Sequence, residues 1–253
     1  MSESYQNDFY KLIEQGVKNS AKVIVPILAN QFEPGSVVDI GCGTGEWLAQ
    51  FKNNGITTVF GIDGPWVENT QLAIAPEEFA PMNLTQPLDA SELPVKQFDL
   101  ALCLEVGEHL NASCSELLVR NLTRISSVIL FSAAIPGQGG VDHVNEQWQS
   151  YWAELFGKHD FTAIDWLRPK IWDHPKVDTW YKQNTLLYIS SDRLQKWPAI
   201  SESNASGHNL IANVVHPAHY MQKLKDTDPN QMSLINTLKK LPRIFKSALK
   251  RKL

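Results

Sequence analysis

Glu105, Glu108 and His109 fall within five positions, in the stretch LCLEVGEHL, directly after an apolar run. Carboxylates and imidazoles are costly to bury unless something pairs with them, so a buried segment that ends in all three demands a partner. Their i, i+3, i+4 spacing predicts one side of a helical turn, facing a common point. Two chemistries suit such a cluster. Carboxylate oxygens and imidazole nitrogens ligate divalent cations, and a histidine with an ordinary pKa near 6.5 can take up a proton at neutral pH.

A second chemical feature lies upstream, in VVDIGCGTGEW. Gly41, Gly43 and Gly45 follow a strand-like run, and glycines at such a bend let a ligand approach main-chain N–H groups where a Cβ would collide. Glu46 occupies the place where a dinucleotide loop would carry glycine, which argues against a diphosphate. Asp63 stands 18 residues beyond Gly45, at the end of another apolar run, where an acid can accept both hydroxyls of a ribose.

The elements that must position these residues follow from periodicity. Apolar positions at helical intervals in residues 5–32 (Phe9, Leu12, Ile13, Val17, Val23, Ile24, Ile27, Leu28) predict two helices. SVVDI, TTVFGID, FDLALCLEV and SVILFSAAIP read as strands, with EWLAQFKNNG and SELLVRNLTRI as helices between them; a Trp-bearing helix, NEQWQSYWAELFGKHD, and the strands FTAIDWL and NTLLYIS follow. That alternation predicts an α/β fold, a Rossmann-like doubly wound sheet that is mostly parallel. Three divisions are expected: a helical cover over 1–34, the sheet domain over 35–198, and an extension over 199–253. SESNASG, residues 201–207, reads as a flexible surface segment.

Composition narrows the partners. With 43% hydrophobic residues and a formal net charge of −4, the chain can bury a full core; its start is too polar for a secretory signal, so a soluble, cytoplasmic protein is expected. Cys42, Cys103 and Cys114 show neither zinc nor disulfide spacing. The segment after Asp228 carries Lys239, Lys240, Arg243, Lys246, Lys250, Arg251 and Lys252 with no acid, which leaves the body acidic. Nucleic acid is therefore not the expected partner of that body. Leu238, Leu241, Phe245 and Leu249 recur among the basic residues at near-helical intervals, so a solvated tail, an anionic membrane contact and an RNA contact all stay open.

DIGCGTG, the acidic GID and FDLALCLEV, in that order, resemble the class I S-adenosylmethionine-dependent methyltransferases, over roughly residues 35–190. The resemblance implies a seven-stranded sheet with one antiparallel strand near NTLLYIS. It also implies a loop, Gly41 to Gly45, that receives the methionine part of S-adenosyl-L-methionine, with Asp63 on the ribose and Asn83 and Leu84 beside the adenine. Asp39, Gly64 and Leu104 complete the expected cofactor set. EVGEHL further resembles the E-x-x-E-H sequence of ubiquinone-pathway O-methyltransferases and of small-RNA 2′-O-methyltransferases, which implies Glu105, Glu108 and His109 as ligands of Mg²⁺ or another divalent metal, joined by His143 of GGVDHVNEQW. The expected reaction is O-methylation of a small-molecule hydroxyl, on a sugar or a secondary metabolite. Metal-free N- or carboxyl-methylation with His143 or His109 as general base, and a non-catalytic cofactor-binding protein, are the alternatives.

Overall fold

The computed structural model describes the backbone of residues 3–68, 71–205 and 212–228; side chains before Glu14 and from Glu202 to residue 211 are outside that description, as is the basic tail. The chain divides into two compact units, Met1–Val214 and Val215–Leu253. In the second unit, α8 (Pro217–Thr227) starts with Pro217 in its first turn, and the His216 side chain caps it by accepting from the Ala218 N–H.

The first unit is built on seven strands: β1 (Ser36–Ile40), β2 (Thr58–Asp63), β3 (Phe79–Pro81), β4 (Leu100–Leu104), β5 (Val128–Ser132), β6 (Phe161–Ile164) and β7 (Leu186–Ser190). Their spatial order is β3-β2-β1-β4-β5-β7-β6, with β7 antiparallel to both neighbours and every other pairing parallel. The expected seven-stranded sheet and its single antiparallel strand are both present. The central strands are buried almost throughout, because helices cover both faces. Val37, Leu100, Leu102 and Leu130 meet the layer of α1 (Glu3–Phe32), α2 (Glu46–Asn53), α5 (Arg168–Ile171) and α6 (Thr179–Asn184). Val38, Ala101, Cys103 and Phe131 meet α3 (Ser115–Ile125) and α4 (Gln149–Gly157). Side chains alternate between the two faces along each strand, so one strand feeds both cores.

Two local expectations are corrected. Residues 3–32 form one helix, not two, with Pro26 inside it. The buried stripe Ala21, Ile24, Val25, Leu28 runs through that proline without interruption, and packing along it outweighs the hydrogen bond that proline cannot donate. Residues 201–205 of SESNASG are helical, in α7 (Pro198–Ala205), while 206 and 207 lie outside the described residues. On α4, Trp152 and Phe156 belong to the core, as such helical spacing favours: they pack against Phe131, whose ring lies 4.9 and 5.4 Å away, and neither ring lines a cavity at the carboxyl ends of the strands, while Trp148 is exposed.

Antiparallel β7 has a consequence for function. Leu186, at its start, pairs with Phe131 near the end of β5, so the amino end of β7 and the helix α6 before it stand at the carboxyl edge of the parallel strands. Buried Arg168 fastens α6 there, pairing with Asp165 through Nε (2.8 Å) and Nη2 (2.6 Å) and donating from Nη1 to the Gln183 carbonyl (3.2 Å). No helix among the described residues is long and apolar enough to cross a membrane.

Candidate functional site

Two cavities open along that edge and share Val17, Leu104 and Tyr181 as a common wall. The first, of about 580 Å³, is bounded by Asp39, Gly41, Cys42, Gly43, Thr44, Glu46 and Trp47 of the glycine bend, and by Glu14 of α1. All three loop glycines have positive φ, from +54° to +82°. Each serves a different end. A Cβ on Gly41 would lie 2.3 Å from Val106 Cγ2 and one on Gly45 would lie 2.9 Å from Ile74, whereas at Gly43 no atom lies within 4 Å, so Gly43 presents bare backbone to open space. Asp63 ends β2 with its carboxylate already oriented: Gly43 N–H donates to Oδ2 (2.7 Å) and Gly64 N–H to Oδ1 (2.6 Å). The exposed Trp66 ring lies against Gly64. Beyond β3, Asn83 Oδ1 accepts from the Thr85 backbone and hydroxyl, and Leu84 is buried. Burial, and then the charge of Asp63, push the Asp39 carboxyl up to about 7. Lys18 of α1 bridges Glu14 (2.6 Å) and Glu46 (3.2 Å) at the rim.

The second cavity, about 620 Å³, holds the cluster after β4. Here the shared helical face is corrected. Glu105 adopts a left-handed backbone (φ 57°), and only Gly107–His109 form a 3₁₀ turn. The Glu105 carboxylate is held by amides: Asn184 Nδ2 donates to Oε1 (3.0 Å) and Gln138 Nε2 to Oε2 (3.1 Å). Glu108, His109 and His143 instead form the group, each offering a ligand atom within 4.8 Å of the others. The imidazoles of His109 and His143 meet edge to face at 5.0 Å. Glu105 thus stands beside the three, its carboxylate held by the two amides and close to Glu108.

Glu108 is 0% exposed, and neither of its carboxylate oxygens has a hydrogen-bond partner. Burial, and then the nearby Glu105 carboxylate, raise its pKa well above 4.5. A buried, unsatisfied carboxylate facing two imidazoles fits a divalent cation, which would supply the missing partner. His109 stays open to solvent; partial desolvation, followed by His143, lowers its pKa. The loop from β5 to α4 brings in His143: Val144 and Asn145 N–H groups donate to the Glu108 carbonyl (2.9 and 3.0 Å), and Asn145 Nδ2 donates to the Gly107 carbonyl (3.2 Å). Glu146 accepts from Gly139 N–H (2.6 Å) and Gly137 N–H (2.7 Å) and meets His143 Nδ1 (3.0 Å). Burial opposes ionisation of Glu146, but these hydrogen bonds outweigh it and lower its pKa.

Three wall residues, Glu14, Gln138 and Tyr181, carried no sequence signal, nor did Asn184, which holds Glu105. Trp180 had a weak signal, an aromatic beside the polar, proline-broken segment RPKIWDHPKVDTWYKQN, where a sugar or aromatic ring could bind but packing is the better reading; it lines the second cavity. Glu146 had a faint signal, a carboxylate three residues after a histidine.

A family model described as a methyltransferase domain matches residues 13–168. No curated protein matches the chain. Among solved structures, a candidate O-methyltransferase from Nostoc punctiforme PCC 73102 is similar at a TM-score of 0.52 and 16% identity, over 72% of this chain and 58% of that one. The match thus spans less than two thirds of that protein. The magnesium protoporphyrin IX methyltransferase of Synechocystis PCC 6803, with bound S-adenosylmethionine, is similar at a TM-score of 0.50 and 16% identity, over 71% of this chain and 82% of that one. At such identities the likeness establishes the fold.

Proposed function

The chain belongs to the methyltransferase-domain family, S-adenosylmethionine-dependent enzymes, and from that premise we propose that it methylates a hydroxyl oxygen of a small molecule at a divalent-cation site made by Glu108, His109 and His143. The observation that carries the proposal is Glu108: a carboxylate with no partner and no exposure, set against two imidazoles in a cavity that adjoins the glycine bend.

The division of labour follows from the walls. The cofactor supplies an electrophilic methyl group when bound. The bare Gly43 backbone and Asp39 suit its methionine end; Asp63, fastened to that loop, is assigned to the ribose, and Asn83 and Leu84 beyond β3 to the adenine. Val17, Leu104 and Tyr181 separate the two cavities with mostly apolar surface, which keeps water from the line between donor and acceptor. A cation held by Glu108, His109 and His143 would lower the pKa of an acceptor hydroxyl beside it. Trp180 and Val141 give the acceptor an apolar resting face. Alignment supplies most of the remaining acceleration.

One observation favours a second reading without metal. His109 has a lowered pKa, so its imidazole is neutral at pH 7 and can take the acceptor's proton directly. The two readings separate in one assay: labelled cofactor, a panel of sugar and phenolic acceptors, with and without chelator. Turnover lost with chelator and restored by added Mg²⁺ or Mn²⁺ supports the cation site; turnover indifferent to chelator but lost in His109→Ala supports the base.

A further inference from the structure

We infer that Glu146 is a positioning residue for His143, fixing the imidazole as the Nδ1–H tautomer so that Nε2 is the nitrogen offered to Glu108 and His109. The inference rests on the reading that His143 belongs to the site.

Three groups converge on one carboxylate. Oε1 accepts from the Gly139 N–H and lies 3.0 Å from His143 Nδ1, and Oε2 accepts from the Gly137 N–H. An ionised carboxylate has only acceptor oxygens, so the proton between Glu146 and His143 must come from Nδ1. A neutral imidazole with its proton there carries its lone pair on Nε2. The loop is shaped to this purpose. Gly137 and Gly139 have φ of +84° and +70°, a conformation that turns both amides inward onto Glu146. Gly140 then lies so close beneath the ring that a Cβ there would stand 2.2 Å from His143 Nε2. GQGGVDHVNE is thereby one device: glycines that curl the loop, a carboxylate at its centre, and a histidine held in a single orientation.

A carboxylate that only stitched the loop would leave the tautomer free. The test is made on the full chain, free of metal, with ¹⁵N-labelled histidine, the His143 signals being assigned by their loss in His143→Gln. Long-range proton–nitrogen spectra at neutral pH are expected to show His143 protonated on Nδ1. In Glu146→Ala the ring should move toward the Nε2–H form, and calorimetric titration with Mn²⁺ alone should show affinity reduced by about 10- to 100-fold. Glu146→Gln, which keeps the shape and one acceptor oxygen, should fall between the two and serves if the alanine variant does not fold. A wild-type ring protonated on Nε2, or an Nδ1–H ring retained in both variants, overturns the inference. If Mn²⁺ fails to bind the wild type, the cation reading falls, and the tautomer comparison still decides the role of Glu146.

Discussion

Replacing Glu108 by methionine should stabilise the metal-free protein. Methionine is of similar length, about one methylene larger in volume, and has no oxygen or N–H group to satisfy, whereas the native side chain leaves two oxygens buried without partners. An unsatisfied buried polar group costs about 1–3 kcal/mol, so Glu108→Met should recover about that much. For a domain of this size that corresponds to a rise in Tm of about 2–12 °C. The pH dependence follows from the raised carboxyl pKa. Below 4.5 the group is protonated in folded and unfolded chains alike and contributes no pH dependence. Above 4.5 the unfolded chain releases the proton while the folded chain keeps it, so wild-type stability falls as pH rises toward the folded pKa. The advantage of the variant should therefore widen with pH over that interval. Scanning calorimetry of both proteins, in chelator and then in excess Mn²⁺, reads all of this. The wild type should gain about 2.7 kcal/mol at a hundredfold excess over Kd, and the variant nothing. A variant that melts below the wild type in chelator would refute the reasoning, because it would mean that the Glu108 carboxylate already has a partner.

Asp39, with its carboxyl pushed up to about 7, should make binding of S-adenosylhomocysteine strengthen as pH rises through that value, because only the ionised form pairs with the ligand's ammonium group; calorimetry should show the slope flattened and affinity lowered about 10- to 100-fold in Asp39→Asn. Gly43→Ala places a methyl in open space at φ +54°, so it should cost about 1–2 kcal/mol in thermal unfolding yet markedly weaken cofactor binding. Gly41→Ala should be the more destabilising of the two, since its methyl would overlap Val106. Asn184→Ala takes a donor from the Glu105 carboxylate and should lower stability by about 1–3 kcal/mol; an unchanged Tm would show that the amide clamp does not hold.

The sequence by itself determined whatever depends on neighbours along the chain. Continuous apolar runs mark β1, β4 and β5 because strands covered on both faces need no polar side. Gly41, Gly43 and Gly45 mark a bend because only residues without a Cβ take positive φ cheaply, and the acid after the next strand was legible for the same local reason. Three-residue β3 was invisible, being too short to carry a period. What only the tertiary structure decided are contacts across long stretches of chain. Glu105 and Asn184 are 79 residues apart, and they meet because β7 runs antiparallel and delivers its amino end to the edge where β4 releases its carboxyl end. That contact accompanies a left-handed backbone at Glu105, which breaks the helical spacing that had placed it with Glu108 and His109. The same strand order places Trp180 and Tyr181 on the second cavity. Periodicity can say that a residue is buried or bent; strand order and chain direction decide what it meets.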